Sequence, residues 1–488
     1  MYKCPSGWEC FFAVVAWWAI LLVPGPRAAV SSPPNCDLLS PHPIDGVSGT
    51  VLSGLIEVPE NWERREGRRI HLHVVVLQAE QTPSEPDPIF VLQGGPGQAV
   101  TDLAAFYAEF LQNSRRLRDV ILVDQRGTGG SNSLSFEIAP EQFFLDLAAI
   151  VPTEWIGKAR KDLEIRADLS QYTTISATID LDHVRETLGY KSINLYGTSY
   201  GTRCALHYLR SFPNCVRTVV LKNVLPMDIP IPLSYARNTD RALHLLFDDC
   251  QADDVCRKAN PTFATHLTEV LLRLSKERVT MTVTHPVTKA AEQIQVSRDA
   301  TAMALRQLLM SPQTRTSIPN LIEKAWRGDI QPLGEAIVRM RAGYLRGLAH
   351  GMSLSVLAGE DCPRLTRESI DQETQGTLMG QAAVSRIQSA CMLWPSKGVP
   401  SSFFDPVRSD KPVLLVSGRL DPATPPEYGE SVAKNLSNSR HVVFMHAAHP
   451  NVGFEGLNTL VASFYETGTV VGLDASCAMK GAPPRFPE

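Results

Sequence analysis

Residues 192–204 read S-I-N-L-Y-G-T-S-Y-G-T-R-C, followed by A-L-H-Y-L-R-S-F. The first part is apolar and β-prone, and the last part is helix-like. G-T-S-Y-G therefore stands where a strand passes to a helix, the context in which a G-x-S-x-G turn presents a nucleophilic serine. Such an elbow strains the serine backbone and leaves no room for side chains on either side, which is the reason for Gly197 and Gly201. Ser199 is the candidate nucleophile. A strand feeding a helix in this way also points to an α/β fold.

The rest of the chain repeats that grammar. Strand-like runs occur at 49–58, 69–77, 88–92, 119–123, 218–224, 411–417 and 441–445. Several are continuously apolar, as in sheets covered on both faces. Helical patterns lie between them, giving an α/β architecture with a mostly parallel central sheet. About 190 residues separate Val224 from Lys411, although one crossover between parallel strands needs only ~30. Amphipathic stretches such as L-T-E-V-L-L-R-L, and one hairpin signal joining V-T-M-T-V to Q-I-Q-V-S, fill that gap. The expected organisation is a hydrolytic core at 30–225 and 400–488, with a large, mainly helical cap at 226–399.

A serine nucleophile needs a base and an acid, which follow it in the order acid, then histidine, in loops after later strands. Asp421 stands just beyond the run V-L-L-V-S, and His449 just beyond H-V-V-F-M. Asp421 would accept the Nδ1 proton of His449, whose Nε2 takes the proton from Ser199. His446 competes but lies three residues nearer the strand. Donors for an oxyanion come from the glycine-rich turn G-G-P-G at 94–97. Pro96 has no N–H, and Gly95 is chosen together with the backbone N–H of Tyr200.

The combination G-G-P-G at 94–97, D-Q-R-G-T-G-G-S at 124–131, G-T-S-Y-G-T at 197–202 and G-R-L-D-P-A-T-P at 418–425 resembles the serine aminopeptidases of the α/β-hydrolase type. That group includes proline iminopeptidase and tripeptidyl aminopeptidase. The S-Y-G-T form, C-Q-A-D-D-V-C at 250–256, G-E-D at 359–361 and C-M-L-W-P at 391–395 are more similar to the secreted tripeptidyl aminopeptidase branch. The resemblance implies cleavage near a free peptide N-terminus through an acyl-enzyme, with no cofactor or metal. It also implies that Glu360 and Asp361 receive the substrate ammonium, while Asp124 and Arg126 brace the turn beside the oxyanion loop. The chain departs from the pattern at Gln93, often a histidine, and at Ala448 and Pro450, where glycines are common. Ala358 replaces the cysteine expected before G-E-D, which leaves Cys362 with Cys391 as a pairing. A carboxylesterase or lipase uses the same triad, and a non-catalytic binding protein on this scaffold is the third reading.

Bulk properties narrow the partners. Lys and Arg number 47 against 51 Asp and Glu, a net charge of −4, with 44% hydrophobic residues. No block of one sign exists to attract nucleic acid or a membrane surface. Lys3 precedes thirteen apolar residues, Phe11 to Val23, and then P-G-P-R-A-A-V. That run is shorter than the ~20 residues needed to span a bilayer, so a signal peptide over residues 1–29 and export are expected. An uncleaved anchor is the alternative. Export leaves eight cysteines after the loss of Cys4 and Cys10, and an even number suggests disulfides. Cys250 with Cys256 is the first pair expected. Cys204 and Cys215 are too far apart along a helix to bridge unless the chain doubles back.

Overall fold

The computed structural model describes residues 38–450 and 452–487. The segment read as a signal peptide, with Cys4, Cys10 and Cys36, lies outside them. Nine strands form one sheet: β1 (Ser40–Pro41), β2 (Val51–Pro59), β3 (Arg69–Leu77), β4 (Ile89–Leu92), β5 (Val120–Val123), β6 (Ile193–Thr198), β7 (Val216–Lys222), and, after a hairpin of β8 (Val279–Thr284) and β9 (Ala291–Val296), β10 (Val413–Gly418) and β11 (Ser439–Phe444). Their spatial order is β1-β2-β3-β5-β4-β6-β7-β10-β11. The first three strands are antiparallel to their neighbours. All pairings from β5 to β11 are parallel. The sheet is thus mostly parallel, as the continuous apolar runs imply.

Those runs follow from burial on both faces. Every residue of β5 and of β10 is buried, and consecutive side chains go to opposite sides. Leu195, Val219 and Leu415 join one core with Leu181, Val184 and Leu206 of the helices Thr174–Thr187 and Tyr200–Ser211. Their neighbours Tyr196, Val220 and Leu414 join the other, against helices Ala104–Phe110 and Leu457–Thr467. By contrast, β8 alternates exposed and buried residues, as a two-stranded ribbon lying on a core by one face must.

Between β7 and β10 the chain forms helices around that hairpin, with their own apolar core. Phe143, Leu147 and Ala148, which precede β6 in the chain, belong to this core. The buried Arg341 guanidinium donates to the carbonyls of Phe143, Leu145 and Ala149, so the segment around residue 145 packs with the insertion rather than with the sheet. Disulfides join Cys250 to Cys256 and Cys362 to Cys391. Among the described residues Cys204, Cys215 and Cys477 have no disulfide partner, Cys204 being buried. No helix among the described residues is long and apolar enough to cross a membrane.

The strand order places the site. Strands β4 and β6 are neighbours, and the connection leaving β4 runs to β5 on one side while that leaving β6 runs to β7 on the other. This is the switch point at which open α/β sheets form a crevice beyond their carboxyl ends. The turn after β4 carries Gly94 to Gly97, and the turn after β6 carries Ser199.

Candidate active site

Ser199 joins β6 to helix Tyr200–Ser211 with φ 55° and ψ −126°. This positive φ is rare for a residue with a side chain. It is enforced by a close approach: a Cβ on Gly201 would lie 2.1 Å from the Leu92 carbonyl oxygen, and one on Gly197 would lie 2.7 Å from that of Gly201. The crowding drives the backbone through a sharp corner and turns the serine hydroxyl outward.

The structure brings Ser199, His449 and Asp421 together. Ser199 Oγ is 3.0 Å from His449 Nε2, and His449 Nδ1 is 2.8 Å from Asp421 Oδ2. Asp421 is fully buried. Its Oδ1 accepts the N–H groups of Ala423 and Thr424, and its Oδ2 accepts the Thr424 hydroxyl at 2.8 Å. Burial alone would raise its pKa, but the His449 charge and these donors outweigh it and hold the carboxyl below the usual range. An ionised Asp421 fixes Nδ1 as the protonated nitrogen, leaving Nε2 free to accept from Ser199. His446 lies instead against Gly481.

Three groups that sequence reading missed hold the histidine loop. Lys222, at the end of β7, donates its Nζ to the His449 carbonyl at 3.1 Å, and Asn223 Nδ2 donates to the same oxygen at 2.5 Å. From the insertion, the Met310 carbonyl accepts the His449 backbone N–H at 3.0 Å. In the sequence Lys222 and Asn223 read only as a polar end to an apolar strand. Burial pushes the Lys222 ammonium down to about 7, and it stacks 4.3 Å from the Phe454 ring centroid.

The turn after β4 packs directly on Ser199: a Cβ on Gly94 would sit 2.9 Å from its Cβ. Gly95, at φ 111°, faces the same cavity as Ser199 and His449. Tyr200 opens its helix, where backbone N–H groups have no intrahelical acceptor. Asp124 accepts from Thr101 N, Thr101 Oγ1 and Gly130 N, tying the segment after the Gly94–Gly97 turn to the 124–131 turn. Arg126 meets Asp180 through two 2.6 Å contacts. Gln93 accepts from the Tyr107 hydroxyl.

The cavity over Ser199 measures about 320 Å³ and is roofed by the insertion through Tyr235, Arg306, Gln307, Met310, Tyr344 and Leu357. Glu360 and Asp361, expected to meet a substrate ammonium, are not part of its lining. Both are fully buried. Glu360 accepts Thr174 N and Oγ1 at 2.6 and 2.8 Å, and Asp361 pairs with Arg203 Nη1 at 2.9 Å and accepts Ile231 N. They are the internal counter-charges of a buried arginine. Among the described residues, no carboxylate lines the cavity.

Residues 87–455 match the model of the alpha/beta hydrolase fold family, and the chain belongs to that family. It is similar to the serine protease Hip1 of Mycobacterium tuberculosis, 22% identical over 481 residues that cover 90% of this chain and 89% of that protein. It is also similar to the tripeptidyl aminopeptidase of Streptomyces lividans, 30% identical over 195 residues, 36% of this chain and 35% of that protein. Among solved structures, a thermophilic esterase from Thermogutta terrifontis aligns with a TM-score of 0.38 at 15% identity, covering 85% of this chain and 99% of that one.

Proposed function

We propose that this member of the α/β-hydrolase family is an exported serine peptidase that releases a short peptide or a single residue from a free peptide N-terminus. The observation carrying the reading is the continuous relay from Ser199 Oγ through His449 to the buried Asp421 carboxylate, open to a cavity large enough for a small peptide. Similarity to a serine protease over most of the chain favours peptides as substrates. The partial similarity to a tripeptidyl aminopeptidase favours action at the N-terminus. The two disulfides are in keeping with export.

In this reading Ser199 Oγ attacks the scissile carbonyl while His449 Nε2 takes its proton, and Asp421 stabilises the resulting imidazolium. The backbone N–H groups of Gly95 and Tyr200 receive the oxyanion. His449 then protonates the departing amine, leaving an acyl group on Ser199. Water, deprotonated by His449, releases the acyl group in a second cycle. The insertion, read as a cap over residues 226–399, closes the cavity and limits the length of chain that enters.

A carboxylesterase is the second reading, favoured by a cavity lining without a carboxylate to hold an ammonium. Hydrolysis of tripeptidyl and aminoacyl anilides, free and N-acetylated, beside a short-chain aryl ester, separates the two. The peptidase reading expects turnover of the free-amine anilides and its loss on acetylation. Turnover of the ester alone would replace it with the esterase.

A further inference from the structure

Two arginines line the cavity over Ser199, and they differ in one respect. Arg386 is neutralised: its Nε donates to Asp146 at 2.8 Å and its Nη1 to Asp299 at 3.1 Å. Arg306, on helix Arg298–Leu309, is 4% exposed, forms no ion pair among the described residues, and has no hydrogen-bond partner at Nε. Its guanidinium instead lies 3.8 Å from the Tyr235 ring centroid. Arg203, Arg126 and Arg315 are answered by Asp361, Asp180 and Asp249, and Arg341, which has no carboxylate partner, is instead satisfied by the carbonyls of Phe143, Leu145 and Ala149. A charge withdrawn from water without a counter-charge is costly, and stacking on one aromatic face returns only part of that cost.

We propose that Arg306 receives a carboxylate of the substrate inside the catalytic cavity, so that the enzyme prefers anionic short peptides. This rests on the peptidase reading for the kind of molecule that carries the carboxylate. Stacking on Tyr235 holds the guanidinium plane fixed, and a fixed planar fork matches the two oxygens of a carboxylate. One helical turn further on, Met310 accepts the His449 N–H, so the arginine and the catalytic loop are fastened to the same piece of the insertion. Filling the carboxylate position therefore bears on a segment that touches the catalytic histidine. The carboxylate belongs either to the peptide C-terminus or to an acidic side chain.

The test compares trialanine with its C-terminal amide, and a tripeptide amide containing glutamate with the same amide containing glutamine. Binding to the Ser199→Ala protein is measured by calorimetry, and longer peptides bearing the same four ends are followed for turnover by the wild type. At least one acid is expected to exceed its neutral counterpart by on the order of tenfold to a hundredfold, the range of a charge-assisted hydrogen-bonded pair. The pair that discriminates identifies the source of the carboxylate. In Arg306→Gln that ratio is expected to fall to about one, and Arg306→Lys should restore part of it. Equal binding of acid and neutral forms by the unmutated cavity, or a ratio that survives Arg306→Gln, would overturn the proposal. Absence of peptide turnover by the wild type would instead defeat the peptidase reading, because the binding comparison does not depend on cleavage.

Discussion

The ammonium of Lys222 lies 3.1 Å from the carbonyl oxygen of His449, so the end of β7 is bonded to the backbone of the histidine that meets Ser199. With Asn223 on the same oxygen and Met310 on the N–H, the peptide groups on both sides of His449 are held before substrate arrives. Precise positioning of this kind is where a displacement of ~1 Å costs about a hundredfold in rate.

Lys222→Met is expected to lower kcat by roughly 10- to 100-fold, while binding of a non-reactive peptide changes far less. It should also alter stability. Burial lowers the Lys222 pKa from 10.5 to about 7, so between those values the unfolded chain binds more protons than the folded one, and wild-type stability rises with pH across that window. Denaturation midpoints at pH 6.5 and pH 9.5 should differ less in the methionine variant than in the wild type.

Asp421→Asn should leave the fold intact and reduce kcat by on the order of 10⁴-fold, because a neutral amide no longer selects the Nδ1–H tautomer of His449. Thr424→Val removes one donor from the buried carboxylate and should cost about 1–3 kcal/mol of stability with a smaller loss of rate. A thermal melt beside a steady-state assay distinguishes the two effects.

Gly201→Ala places a methyl group 2.1 Å from the Leu92 carbonyl oxygen, which is backbone and cannot swing away. The helix must shift along with Ser199. Losses of both stability and activity are expected, whereas Gly343→Ala, with nothing within 4 Å of the added carbon, should stabilise its helix by up to ~1 kcal/mol.

Glu360→Gln tests the role of the buried acid. Burial pushes Glu360 from 4.5 up to about 7 against the pull of Arg203, so the folded protein binds its proton more readily than the unfolded chain. Stability from this group therefore falls as pH rises from about 4.5 to 7, and the glutamine variant should show a flatter profile over that range. Since the side chain does not line the cavity, KM for free-amine peptides should be little changed in this variant. A marked rise would support the ammonium-binding role.

The residues that the structure brings together at Ser199 were legible because each has a local cause. Gly197 and Gly201 mark a corner that admits no side chain, and Asp421 and His449 each follow an apolar strand whose neighbours in the sheet bring the two loops to Ser199. The Cys250–Cys256 pair closes a short loop and needs no knowledge of the fold. The surroundings of Glu360 were not legible, because an acidic pair in sequence looks the same whether it faces a ligand or an internal arginine, and Arg203 stands 157 residues before it in the chain. Lys222, Asn223 and Arg306 had no signal of their own. Their significance comes from what the sheet order and the insertion place beside them. The packing of Phe143 and Leu147 with the insertion is also a tertiary effect, invisible to any division drawn along the chain.

The most direct test is to treat the purified protein with a fluorophosphonate, whose phosphorus is attacked by an activated serine with loss of fluoride, and to follow peptide hydrolysis alongside. One equivalent on Ser199, located by mass spectrometry, with hydrolysis of tripeptidyl anilides abolished in step and no labelling of Ser199→Ala, is the predicted result. Peptide hydrolysis that persists in Ser199→Ala, or after full labelling, would contradict the account.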